Sequence, residues 1–346
     1  MKTYPLFAMA TLVALAVAAP GCRQRASAPV GPTPGPAPKG AARRAPASIT
    51  TAELDKVARP SRPVRLALIV KTRNNPFFDP MIRGAEASAE ALGVSLEVQS
   101  PAQETDKERQ FAIVQDVAAR KVDAILVAPA DSRGIVPALK QAQAKGIAVI
   151  NVDNRVDAAT ASAAGLTLGG YVGADNEEGG RMAGKAMMQA LGSHGKVAIL
   201  EGIRGADNAE ARKRGFTQAA QGPLQIVASD SAEWDTQKAY AKFQAMLAAH
   251  PDLNGVFCAN DKMALGALKA IREAGRKGKV TVVGYDNIPD VRPYLKSGEM
   301  YATIDQRPDL MGRYGVKMGI GVLAGSIPGG REFLVPLELV TKETAR

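Results

Sequence analysis

The sequence predicts an α/β protein built as two doubly wound, parallel-sheet lobes of Rossmann-like type, and three observations predict it. From residue 64 onward, short apolar, β-branched runs alternate with amphipathic stretches of helical length. Strands apolar on both faces, each followed by a helix, belong to a parallel sheet covered on both sides. The alternation comes in two sets, over 66–152 and over 196–284. An internal echo links them: Gly146-Ile-Ala-Val-Ile-Asn-Val-Asp-Asn154 parallels Lys279-Val-Thr-Val-Val-Gly-Tyr-Asp-Asn287, so an Asp-Asn pair ends a corresponding strand in each.

The first set begins with a strand over 66–70 and a helix near 80–92. A strand over 95–99 precedes a helix near 107–120, and one over 124–128 precedes a helix near 134–145. A strand over 148–152 closes it. In the second set the strands are 196–200, 225–228, 255–259 and 280–284, each followed by a helix-length segment. The length of 346 residues suits two such lobes.

Ahead of the lobes the character is different. Met1-Lys2 is a minimal positive start, Thr3 to Gly21 carries no charge, and Ala19-Pro20-Gly21-Cys22 ends the apolar run. That order is a secretory leader over 1–22, and its final cysteine resembles a bacterial lipoprotein cleavage site, with Cys22 as the lipidated residue. A plain signal peptide and an uncleaved span are the other readings of the same run; all three export the chain. Residues 23–63 are rich in Pro, Ala and Gly and are expected to be a disordered tether.

Charge and chemistry exclude several classes. Residues 1–63 hold nine basic side chains and two acidic ones, a net of +7, which leaves only +3 of the total +10 for the rest. A nucleic-acid-binding domain needs its basic excess on a folded face, so no nucleic-acid partner is expected. The cysteines, Cys22 and Cys258, sit in unlike settings, Cys258 inside a strand-like run, and imply no disulfide framework. His194 and His250 stand in turn-like contexts, and no phosphate loop, Ser-His-Asp order or metal-ligand cluster occurs. The chain is expected to be no enzyme and to carry no metal and no cofactor.

Polar and aromatic residues gather where strands end, which is where open α/β sheets bind ligands. Lys71, Asn75, Phe77 and Phe78 follow the first strand, and Asp153 and Asn154 the fourth. In the second half come Arg212 near a helix start, Trp234 in a loop, Asn260-Asp261, Asp286-Asn287 and Asp305-Gln306. Carboxylates, amides and a guanidinium suit a neutral polyol, whose hydroxyls both donate and accept, and aromatic faces cover its C–H faces. Each Asp or Asn after a strand also has a plain reading as the N-cap of the next helix, the reading favoured for Asp261. Phe77 and Phe78 have one as lobe core.

From Val64 to the C-terminus the sequence resembles the type I periplasmic binding proteins of ABC sugar importers, in the ribose- and allose-binding branch. The segments that carry the likeness include Val70-Lys-Thr-Arg-Asn-Asn-Pro-Phe-Phe78, Val152-Asp-Asn154, Gly173-Ala-Asp-Asn-Glu-Glu-Gly-Gly180, Ala232-Glu-Trp-Asp235, Cys258-Ala-Asn-Asp-Lys-Met-Ala-Leu-Gly266 and Val282-Val-Gly-Tyr-Asp286. The resemblance implies sugar contacts at Asn75, Phe77, Phe78, Asp153, Arg212, Trp234, Asn260, Asp286 and Gln306. Lys71 stands where the ribose-binding pattern has a serine, Asn154 where it has an arginine and Ala128 where it has an asparagine. A ribose-, allose- or psicose-like monosaccharide is therefore the expected ligand.

It further implies three crossings between lobes, near Gly173, Arg307 and Leu334. An N-terminal lobe would comprise 64–173 with 307–333, and a C-terminal lobe 174–306 with 334–346. The implied protein is a monomer, in the periplasm or at the cell surface, anchored to the membrane through lipid and delivering its sugar to an ABC permease. A chemoreceptor or signalling partner of the same fold is the alternative. A lactose-repressor-type regulator would need a DNA-binding helix-turn-helix where the leader and tether stand.

Overall fold

A computed structural model describes residues 47–345; the leader 1–22 with Cys22, and the tether as far as residue 46, lie outside the described residues. The chain runs α1 (Thr51–Asp55), β1 (Arg65–Ile69), α2 (Phe78–Leu92), β2 (Ser95–Gln99), α3 (Lys107–Ala119), β3 (Ala124–Val127), α4 (Val136–Ala144), β4 (Ala148–Val152), α5 (Ala158–Ala163) and β5 (Gly170–Gly173). It continues through α6 (Asn176–Leu191), β6 (Lys196–Glu201), α7 (Asp207–Ala220), β7 (Gln225–Ser231), α8 (Thr236–Ala249), β8 (Gly255–Cys258), α9 (Asp261–Glu273) and β9 (Thr281–Val283). The last elements are α10 (Arg292–Ser297), β10 (Ala302–Asp305), α11 (Pro308–Leu323), β11 (Arg331–Leu334) and β12 (Glu338–Thr341).

Two six-stranded sheets result, in the orders β11-β5-β4-β3-β1-β2 and β12-β10-β9-β8-β6-β7. All pairs are parallel except β10 with β12. In both sheets the second strand of the set lies outside the first and the third lies on its other side, so the order reverses beside the first strand. That reversal opens a crevice at the strands' carboxyl ends. β1, β3, β4, β5 and β8 are buried along nearly their whole length, which is why they read as unbroken apolar runs. The expected α/β fold with two parallel-sheet lobes is what the structure has.

Close helix packing shapes the second lobe. A Cβ on Gly180 would stand 2.2 Å from the Arg212 carbonyl oxygen, and one on Gly215 would stand 1.9 Å from that of Glu177. Only glycine lets α6 and α7 approach so closely, and the approach sets Arg212 beside Asn176.

The tether expectation is corrected from residue 47 onward. Residues 47–57 are ordered: Ser48 forms a parallel bridge with Glu332 on β11, and α1 packs against α11. Thr50 and Glu53 make a reciprocal capping box, with Thr50 Oγ1 accepting from the Glu53 amide at 3.2 Å. Ile49 and Leu54 are buried, and Lys317 reaches Asp55 at 2.6 Å. Two apolar anchors and a cap outweigh the local proline and alanine content.

Candidate functional site

Backbone strain marks the strand ends first. Among the described residues eight non-glycine residues have positive φ, and six of them (Asp153, Glu233, Trp234, Asp286, Asn287, Arg307) follow β4, β7, β9 or β10. Such conformations cost about 1–3 kcal/mol each and gather at ligand clamps. Tyr171 on β5 holds one of them by donating its hydroxyl to the Asp153 carbonyl at 2.7 Å.

The first lobe contributes a polar pair and an aromatic pair. Lys71 Nζ lies 2.9 Å from Asp153 Oδ2, and both side chains are buried. Asp153 Oδ1 has no protein hydrogen-bond partner. Asn75 turns the chain into α2 by accepting from the Phe77 amide at 3.1 Å, and its Nδ2 donates to Glu104 Oε1 at 2.7 Å. Phe77 and Phe78 meet edge to face, their centroids 5.0 Å apart, and Lys71 Nζ stands 6.0 Å from the Phe78 centroid.

The second lobe contributes a guanidinium held on three sides. Arg212 Nε donates to Asn176 Oδ1 and Nη1 to the Ala259 carbonyl, both at 2.8 Å, while its plane stacks 3.7 Å from the Tyr285 ring. Its Nη1 lies 3.6 Å from Asp286 Oδ1, which also accepts from Gln306 Nε2 at 2.7 Å. The other amide atom, Gln306 Oε1, has no protein partner, nor has Trp234 Nε1. The Trp234 indole lies across Gly202, where a Cβ would come within 2.1 Å of the ring, and Arg212 is 5.5 Å from it.

Three positions differ from their sequence-based reading. Asn154 has every side-chain polar atom engaged by protein: Nδ2 donates to the Pro129 carbonyl at 2.9 Å and to Ser132 Oγ at 3.2 Å, and Oδ1 accepts from the Asn208 amide at 3.0 Å. Asn260, expected as a contact, also serves as the N-cap of α9, its Oδ1 accepting from the Met263 amide at 2.9 Å. Asp261, expected as the cap, instead ties the sheet to the following loop through the Tyr285 and Ile288 amides and Thr303 Oγ1. Glu104 is the residue that sequence reasoning missed. It follows β2 and faces Lys71 and Asn75, and a survey of all four strand ends in the first set would have found it.

Electrostatically the cleft is buried yet nearly neutral. Burial pushes the Asp286 carboxyl well above the usual carboxylate range, against the opposing pull of Arg212. It pushes Glu104 upward as well, against Lys71 and the Asn75 amide. Asp261 is raised to about 7 by burial, with Thr303 and backbone amides opposing. Lys71 and Arg212 face Asp153, Glu104 and Asp286, and burial disfavours the charged form of the last two, so little net charge is left to hold an ion. Unpaired acceptors on Asp153 and Gln306 and an unpaired donor on Trp234 suit a neutral molecule that offers both donors and acceptors. Cys258 is a buried thiol whose pKa burial raises, so it is an inert core residue.

Comparison with known proteins agrees with this geometry. Residues 66–327 match a family model described as periplasmic binding protein domain. The chain is 39% identical over 288 residues to a D-ribose/D-allose-binding protein of Pseudomonas aeruginosa, covering 82% of this chain and 90% of that protein. It is 36% identical to the D-allose-binding periplasmic protein of Escherichia coli over 73% of this chain and 82% of that one. Among solved structures, an ABC transporter solute-binding protein from Actinobacillus succinogenes with bound D-allose superposes with a TM-score of 0.77 at 41% identity, over 82% of this chain and 99% of that one.

Proposed function

The chain belongs to the periplasmic sugar-binding proteins of ABC importers, in the ribose- and allose-binding branch, and from that premise we propose that its two lobes close on one monosaccharide and present it to a membrane permease. The family is one of binding proteins, not enzymes. The observation that carries the proposal is the pair of facing polar clusters. Asp153 with Lys71, Asn75 and Glu104 comes from one lobe, and Arg212 with Asp286, Gln306 and Asn260 from the other.

Within that cleft Asp153, Glu104 and Asp286 accept from adjacent sugar hydroxyls, and Lys71, Arg212, Asn75 and Asn260 donate. Phe77, Phe78 and Trp234 cover the apolar faces of the ring. A buried lysine beside Asp153 supplies one more donor than a serine's reach would, which favours a hexose such as allose or psicose over ribose. Relatives named for ribose, allose or both are consistent with that range. Lipidation of Cys22 would anchor the protein to the outside of a membrane, with residues 23–46 as spacer.

A ligand that binds only the folded form raises stability by RT ln(1 + [L]/Kd), about 2.7 kcal/mol at a hundredfold excess over Kd. The melting temperature measured against ribose, allose, psicose, galactose, glucose, xylose and inositol should therefore rise with at least one of the first three. No shift with any of the seven would sink the simple-sugar reading.

A further inference from the structure

Away from the strands that cross between the lobes, three hydrogen bonds join the two lobes among the described residues. Lys262 Nζ reaches the Asn74 carbonyl at 3.4 Å, the Asp207 amide donates to Ser132 Oγ at 3.2 Å, and the Asn208 amide donates to Asn154 Oδ1 at 3.0 Å. The last two donors are the first two amides of α7. A helix begins with amides that have no partner inside it, and a Ser, Thr, Asp or Asn at the N-cap normally accepts from one of them. α5, α6, α8 and α9 are capped in that way by Asp157, Asp175, Asp235 and Asn260. At the N-cap of α7 stands Ala206, which has no side-chain acceptor.

We propose that Ser132 and Asn154 of the first lobe are the N-cap of α7 in the second lobe, and that this shared cap is a latch that exists only when the lobes are closed. Both latch residues are built for the task. Asn154 and Ser132 are fully buried, and Asn154 Nδ2 donates to Ser132 Oγ and to the Pro129 carbonyl, which aims Oδ1 at α7. Asp157, next to the pair, fixes Ser132 from behind by donating its amide to the Ser132 carbonyl at 2.7 Å. Arg155 of the first lobe also acts across the gap, since it opposes the upward push of burial on the Asp207 carboxyl.

The consequence concerns affinity rather than recognition. Opening the lobes strips both amides of their acceptors and hands them to water, so the latch adds to the closed state a term that no sugar contact supplies. Asn154 spends all its polar atoms on protein, so it sets how readily the molecule closes and not which sugar it closes on. This rests on the proposed sugar-binding function for its first readout.

The test compares Asn154→Ala and Ser132→Ala with wild type, by titrating the intact protein with D-allose and D-ribose and by measuring the radius of gyration in solution without sugar. The latch predicts that each variant weakens every sugar that binds by the same factor, about 3- to 10-fold from the usual worth of a cap, with the preference between sugars unchanged. It also predicts a larger mean radius for the sugar-free variants. Because Asn154→Ala also removes the Pro129 contact, Ser132→Ala with a wild-type melting temperature is the arm free of folding damage. Unchanged affinity in both variants would overturn the latch, and so would a loss confined to one sugar. Should wild type bind neither sugar, allose and ribose fail as the ligand on their own. The scattering arm then decides the latch: a larger radius in the variants supports it, and equal radii overturn it.

Discussion

Asp286 shows how one side chain serves both the cleft and the fold. Its carboxylate faces Arg212 and Gln306 on its own lobe, with Asp261 and Glu104 adding negative charge nearby. Truncation to alanine would leave a buried guanidinium less compensated, a change that destabilises folds in general. Asp286→Asn is the cleaner probe, because Arg212 keeps Asn176, the Ala259 carbonyl and the Tyr285 ring. It removes a charge-assisted acceptor from a closed site and should weaken sugar binding by about 2–4 kcal/mol, read by titration, with the melting temperature of the sugar-free protein little changed. Asp261 makes a different prediction, about stability. Its folded pKa of about 7 lies above the ordinary 3.8, so between those values the folded state holds a proton that the unfolded state has released. The contribution is fully present below about pH 3.8 and is lost as pH rises through 7. Denaturant unfolding from pH 4 to 8 should show stability falling with pH, and Asp261→Asn should flatten that fall; an unchanged slope would contradict the assignment.

At the scale of elements, the sheets were legible because buried parallel strands are apolar on both faces and each is closed by a helix. The Asp-Asn echo at 153–154 and 286–287 placed two strand ends for the same reason. What stayed hidden depended on contacts distant in sequence. The capping box of Thr50 and Glu53 is four residues long and sits beside proline-rich chain, so composition outvoted it. The cap of α9 falls to Asn260 and not to Asp261 because either residue type can cap, and only the approach of Tyr285, Ile288 and Thr303 to Asp261 decides which one does. The place of Asn154 after β4 suggests a contact, whereas its partners lie on a loop and on a helix of the other lobe. The docked segment around α1 gives an element-scale prediction. Leu54 is fully buried, and Leu54→Ala should cost about 2–5 kcal/mol at that docking. Limited trypsin digestion should then cut faster after Lys56, at the end of α1, while sugar affinity stays at the wild-type value. Equal digestion rates would mean that the segment is not held by Leu54.

For the whole molecule, function follows from duplication. Each lobe alone offers half of a polar shell at the carboxyl ends of one sheet, and only both together surround a ring of hydroxyls. The shell is buried, nearly balanced in charge and lined by strained residues, which together suit selective capture of an uncharged solute better than catalysis or the binding of an ion. The most direct measurement is calorimetric titration of the protein with D-allose, D-psicose and D-ribose in turn. The account predicts saturable binding of at least one of them at one sugar per chain, lost or strongly weakened in Asp286→Asn. No saturable heat from any of the three at millimolar concentration, or equal binding by Asp286→Asn, would contradict it.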